Sequence, residues 1–150
     1  MKRTLLPAAT AIIILTCGTN AMADEGGGSR TTVLVKATSS WNDIKYGSYP
    51  AGQPELTTVR MTIPAHSKLH WHRHLMPNSA YILSGQLTVE EKATGRKATY
   101  HAGEAFAESV DNVHRGSTGS KPAVVIVTYA GSQGQPLSVS VTDDDGQADK

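Results

Sequence analysis

From residue 32 to residue 141 the chain is a succession of short β-prone runs separated by turns, many of them marked by glycine, and this pattern admits few folds. Thr32-Val33-Leu34-Val35-Lys36 is the first run. Leu56 to Ile63 alternates, with Val59, Met61 and Ile63 on one face. Tyr81-Ile82-Leu83 leads into a Ser84-Gly85 turn and on to Leu87-Thr88-Val89. Thr94-Gly95 marks a hairpin turn before Lys97 to Tyr100, and Ala102-Gly103 marks another before Glu104 to Glu108. Ala123 to Tyr129 is the strongest run, apolar enough for burial on both faces, and Leu137 to Val141 makes one more. No stretch beyond the N-terminal segment carries a helical period. Short strands at this spacing predict an all-β sandwich or barrel.

The two ends read differently. Lys2 and Arg3, an apolar run from Leu5 to Leu15 and then Ala21-Met22-Ala23 form an export signal spanning residues 1–23, with cleavage before Asp24. The apolar run is shorter than the roughly 20 residues a bilayer span needs. A lipoprotein signal with Cys17 lipidated is the weaker reading, because Thr16 is bulky for that site. Residues 24–55 form an N-terminal extension with one strand, residues 56–131 the main domain, and residues 132–150 a final strand and a solvated tail rich in Asp. Cys17 is the only cysteine, so the mature chain has neither disulfide nor thiolate. All 13 acidic residues follow Ala23 while 14 − 2 = 12 Lys and Arg remain, a net charge near −1. That balance predicts no nucleic-acid partner and no anionic membrane surface. The expected location is the periplasm or the exterior.

The chain has six histidines, and His66, His70, His72 and His74 fall at even positions within nine residues. On a strand they share a face. At about 3.3 Å per residue, His66 and His74 would lie some 26 Å apart, so not all can meet one ion, but neighbours about 6.6 Å apart can. Imidazole suits zinc, copper, iron and nickel.

The stretch from Ile63 through His66, His70, His72 and His74 to Gly85 resembles the first motif of the cupin superfamily, G-x5-H-x-H-x(3,4)-E-x6-G. Gly103 to His114 resembles the second, G-x5-P-x-G-x2-H-x3-N. The resemblance covers about Leu56 to Gly131 and is nearest to the small secreted bacterial cupins. It implies a conical jelly-roll barrel of six to eight strands with one divalent metal ion inside, of the set Fe, Mn, Ni, Cu or Zn. It selects His72 and His74, because His74 lies eleven residues before Gly85, and it adds His114, eleven after Gly103. The motif carboxylate falls on Asn78, a neutral oxygen donor. The opening glycine is His66, and Ser109, Asp111 and Thr118 stand where the second motif has Pro, Gly and Asn. Glu108 is the leading replacement carboxylate, an even six residues before His114 on the strand expected to line the barrel. Turned inward it is a ligand or a catalytic general base; turned outward it is a solvated strand end.

The remaining histidines have plainer expectations. His66 is an exposed rim residue, His101 an exposed turn residue, and His70 lies beside the pocket or on the surface. Trp71 packs outside the barrel, and Arg115 is a solvated charge. Met61, Ile63, Tyr81, Leu83, Phe106 and Val125 are expected to wall the interior. Two functions follow: a metal-dependent, dioxygenase-type enzyme acting on a small oxygen-chelating substrate, or a non-catalytic protein that binds or senses a small molecule or metal. The resemblance also permits isomerases and decarboxylases. A metal that only braces the barrel is a third reading. Strand exchange through Thr32 to Lys36 would make a homodimer.

Overall fold

A computed structural model describes residues 29–142. The expected export signal at 1–23, Cys17 and the acidic tail from Asp143 onward lie outside the described residues. The chain divides into two units, residues 1–31 and 32–150, and the second carries all the secondary structure among the described residues. That structure is nine strands and no helix: β1 (Pro54–Ile63), β2 (His72–Arg73), β3 (Asn78–Ser84), β4 (Gln86–Glu91), β5 (Lys97–His101), β6 (Ala105–Ala107), β7 (His114–Ser117), β8 (Ala123–Ser132) and β9 (Val139–Ser140).

The strands form two sheets, ordered β1-β8-β3-β6 and β5-β4-β7-β2-β9, with every pairing between these strands antiparallel. Chain neighbours such as β1 and β2 lie in different sheets, which is the crossing pattern of a jelly roll. β8 is the centre of the first sheet. It pairs with β1 along its whole length, from Pro54↔Ser132 to Ile63↔Ala123. Its alternation sends Ala123, Val125, Val127 and Tyr129 into the core, while Val124, Ile126 and Thr128 are half-buried. The expectation of burial on both faces is thus corrected: β8 has one inner face and one partly covered outer face.

Period-two alternation fixes the rest of the core. Ala80 and Ile82 of β3 are buried, as are Leu87 and Val89 of β4. Tyr81 and Leu83 therefore point outward, against the expectation that they wall the interior, and Leu83 is 46% exposed. The β3–β8 register shifts between Ile82 and Ser84. The segment Thr32–Lys36 is irregular rather than a strand. Its backbone has no ladder partner, and Val33 and Leu34 are exposed.

The β3–β4 connection depends on one glycine. Gly85 has φ +75°, and a Cβ there would lie 2.1 Å from the Pro122 carbonyl oxygen. Gly95 has φ +70° but open space around it. Left-handed backbone alone costs a non-glycine residue roughly 1–2 kcal/mol. Gly95→Ala should therefore lose about 1–2 kcal/mol, whereas Gly85→Ala must also displace backbone and should lose about 3 kcal/mol or more. Urea unfolding of the two variants measures the difference; equal losses would show that the Pro122 contact costs nothing.

Candidate metal centre

Three rings meet where the second sheet closes. His72 in β2 is the direct cross-strand partner of His114 in β7, so both side chains fall on one face. His74 follows β2, and the backbone there is held by a bridge to Val110 and by Asp111 N–H donating to its carbonyl at 2.9 Å. Ring centroids are separated by 4.7 Å for His72 and His114, 5.0 Å for His72 and His74, and 5.2 Å for His74 and His114. His74 and His114 are buried and His72 is half-buried.

Each ring is oriented by its Nδ1. That atom lies 2.9 Å from the His70 carbonyl in His72, 2.7 Å from the Leu137 carbonyl in His74, and 2.8 Å from the Asn112 carbonyl in His114. A carbonyl only accepts, so each Nδ1 carries the hydrogen and donates. Nε2 of each neutral ring is then a lone pair turned toward the others, the tautomer a metal ligand needs. The three candidate ligand atoms lie within 4.8 Å of one another. Ligand atoms on a tetrahedral ion with bonds of about 2.1 Å stand about 3.4 Å apart, so the rings would approach one another by up to about 1.4 Å to share one ion.

Glu108 completes the group. One carboxylate oxygen is 2.6 Å from His74 Nε2 and 3.7 Å from His114 Nε2. Neither Nε2 has a hydrogen-bond partner, although both are buried. The carboxylate thus sits near the ring nitrogens but off the direction a ring N–H would point. Burial alone would raise the Glu108 carboxyl; contacts with His114 and His74 outweigh it and hold the group well below the usual carboxylate range. Burial opposes charge on His74, and Glu108 beside it outweighs that and raises its pKa. His72 is lowered, chiefly by burial. Two orphaned buried nitrogens, a third ring and a carboxylate converging on one space fit a divalent cation, and an N3O donor set suits several first-row metals.

The other expected site residues fall elsewhere. Asn78 opens β3, is 6% exposed, and its amide lies 3.4 Å from the Met76 carbonyl. It does not line the cavity that holds the histidines. Glu108 is not on one strand with His114, as its even spacing suggested: it follows β6 of the first sheet, while His114 opens β7 of the second. A loop with Asp111 at φ +53° joins them, and the two groups meet because the sheets face each other. His66 and His70 are exposed, and His101 is exposed beside Glu104 at 3.3 Å. Trp71 packs outside under Arg115, whose guanidinium is 4.0 Å from the ring centroid. Arg115 is not a free solvated charge, since it also donates twice to Glu90 at 2.9 and 2.8 Å.

A second buried carboxylate supports the first group from behind. Glu91 is the cross-strand partner of His114 in the β4–β7 pairing. It accepts from Asn112 Nδ2 at 2.7 Å, from Asn42 Nδ2 at 3.0 Å, and from the Thr94 hydroxyl. Asn112 is the residue whose carbonyl orients His114. Asn42 Oδ1 in turn accepts from Ser40 at 2.6 Å and from the fully buried Ser109 at 2.7 Å, and the Tyr46 hydroxyl donates to the Glu108 carbonyl at 2.6 Å. Residues 40–46 therefore hold residues 108–114 in place. Composition and spacing gave no sign of this network. The only local trace is that His72 and His114 both donate to the carbonyl two residues before them.

Residues 59–129 match the family described as Cupin domain, and together with the two-sheet topology this makes the fold a cupin jelly roll. The structure is similar to DMSP lyase DddQ from Ruegeria pomeroyi DSS-3, with 17% identity, a TM-score of 0.51 and coverage of 57% of this chain and 43% of that one. It is also similar to the polyketide cyclase RemF from Streptomyces resistomycificus, with 17% identity, a TM-score of 0.50 and coverage of 62% and 66%. The chain thus spans less than half the length of the lyase, and at this identity the likeness is one of fold alone. No curated protein sequence matches significantly.

The Glu91 carboxyl is held below its ordinary value of 4.5, first by the Thr94 hydroxyl, against the opposing effect of burial, with Asn112 and Asn42 adding to it. A lowered folded-state pKa means that this stabilisation is complete above the unfolded value and is lost as pH falls through the folded one. Glu91→Gln should therefore flatten the loss of stability below about pH 4.5 relative to the parent, read from urea midpoints against pH. Asn42→Ala, which leaves buried Glu91 and Ser109 short of a partner, should cost about 1–3 kcal/mol at neutral pH.

Proposed function

We propose that this chain is an exported metal-binding cupin in which His72, His74, His114 and Glu108 hold one divalent ion. Its activity is read as a dioxygenase-type oxidoreductase reaction on a small oxygen-chelating substrate. The observation that carries the metal reading is the convergence of the buried Nε2 atoms of His74 and His114, which have no hydrogen-bond partner, on the Glu108 carboxylate. A redox-active ion held there would supply Lewis acidity and electron transfer to an oxygen-donor ligand.

The chain's own residues define what such a ligand meets. Three neutral imidazoles and one carboxylate leave a divalent site with one net positive charge, which favours an anion. Asn78 stays outside this ligand set, its amide turned to the Met76 carbonyl. Tyr129 lines the same cavity, and burial first, then Glu108, pushes its hydroxyl well above its usual range. It stays protonated and is a hydrogen-bond donor at neutral pH. A non-catalytic binding or sensing role is the second reading. It is favoured by one observation: Glu108, the carboxylate that lines the cavity, is in contact with two of the rings and is not free to act as a base. The reading of residues 1–23 as a signal supports export, and the exposed Val33 and Leu34 support pairing with a second copy.

The chain from Asp24 onward, purified without affinity histidines, should carry or take up about one ion per chain from Fe, Mn, Ni, Cu or Zn, measured by elemental analysis. His114→Ala should abolish uptake and His101→Ala should leave it unchanged. Glu108→Gln should weaken it about tenfold or more, which is about 1.4 kcal/mol. Uptake below about a tenth of an ion per chain by the parent would remove the metal reading. Full affinity with lost turnover in Glu108→Gln would make Glu108 a base instead of a ligand.

A further inference from the structure

The cavity in which the four groups meet has a volume of ≈ 30 Å³. Pockets for drug-sized organic ligands run to about 300–1,000 Å³, and a cavity of about 150 Å³ holds a single benzene ring. That space must seat the ion as well, so beside it there is room for no more than about one to three heavy atoms.

The wall leaves little slack. Ile63, Val125 and Val127 from the first sheet and Leu87 and Val89 from the second are all buried, and Met61 and Leu69 also line the space. Packing is tight even at the glycine of this wall: a Cβ on Gly116 would lie 3.1 Å from Leu87 Cδ1 and 3.3 Å from Leu69 Cδ1. Such a lining offers no partner to a polar tail, so every polar atom of a ligand must be satisfied at the ion or at Tyr129. Larger cavities, from ≈ 270 to ≈ 640 Å³, exist elsewhere on the described surface, and none is lined by His72, His74, His114 or Glu108. A drug-sized organic molecule has room elsewhere on this protein, but not at the centre.

We infer that the centre accepts a compact oxygen-donor anion of about one to three heavy atoms, the size of formate or nitrite, and excludes larger organic carboxylates. Met61 and Leu69 are the residues that set this limit, since they are the half-buried members of the wall. This rests on the metal reading above and narrows its substrate class.

The test holds the donor group constant and varies size. Protein loaded with Co(II) is titrated with formate, nitrite and benzoate, and the visible absorption of the ion reports binding without any turnover. Formate and nitrite should change the spectrum saturably, and benzoate should bind about tenfold more weakly or worse. Met61→Ala and Leu69→Ala, each checked by thermal melting, should bring benzoate toward the affinity of formate. Benzoate binding as tightly as formate to the parent, no response to formate and nitrite, or unaltered selectivity in both folded variants would each overturn the inference with the metal centre intact. Failure to retain Co(II) at all would overturn the metal reading and this inference together, and elemental analysis of the loaded protein separates the two cases.

Discussion

The candidate site depends on three hydrogen bonds in which imidazole Nδ1–H groups donate to backbone carbonyls. Each contributes only about 1 kcal/mol to stability, but together they decide which ring nitrogen faces the interior. Two of the acceptors are local: His70 for His72 and Asn112 for His114 stand two residues before the ring they orient. The third, Leu137, comes from the segment leading to β9, so the C-terminal part of the described chain helps aim His74. With the opposite tautomer the same rings would turn N–H groups toward one another and toward Glu108, and no nitrogen lone pair would be left there for an ion.

Two buried carboxylates flank His114, and they are stabilised by different means. Glu108 lies on the ring side, against Nε2 of His74 and His114, where a bound cation would match its charge. Glu91 lies on the strand side, where neutral donors from Asn42, Asn112 and Thr94 surround it and no cation is within salt-bridge distance among the described residues. A buried anion satisfied by amides and a hydroxyl tolerates little displacement of those donors, because any lost bond leaves charge unsolvated. Glu91 therefore transmits the position of residues 40–46 to Asn112, and Asn112 transmits it to the His114 ring.

The fold was legible where alternation and turns agree. Leu56 to Ile63, the Ser84-Gly85 turn and the Thr94-Gly95 hairpin all appear as read, because a half-buried strand writes its inner face into every second residue and a left-handed turn position calls for glycine. The three histidines that come together are those selected by motif register. Illegible parts have physical reasons. Thr32–Lys36 has the composition of a strand but no partner strand, and composition cannot supply one. The parity argument for Glu108 assumed a continuous strand to His114, whereas the chain crosses between sheets through a loop with a left-handed residue. Glu91 alternates as an inward residue of β4, yet nothing in the sequence said that Asn42, from 49 positions away, would meet it.

Strand length divides the molecule by task. The wall opposite the histidines rests on β1 and β8, ten residues each, paired along their whole length and filled with Val, Ile and Met. The ligand side rests on β2, β6, β7 and β9, which have two, three, four and two residues, and on the loops between them. Ladders that short cannot fix side chains by themselves, and the fixing is done by side-chain hydrogen bonds to backbone and by the Glu91 network. Packing against long strands is tolerant of exchange among apolar residues of similar volume, whereas a hydrogen-bonded loop tolerates almost none. Changes in the wall should therefore alter what fits, and changes in the loops should alter whether an ion is held at all. These are separable properties because two different kinds of force hold the two halves of the cavity.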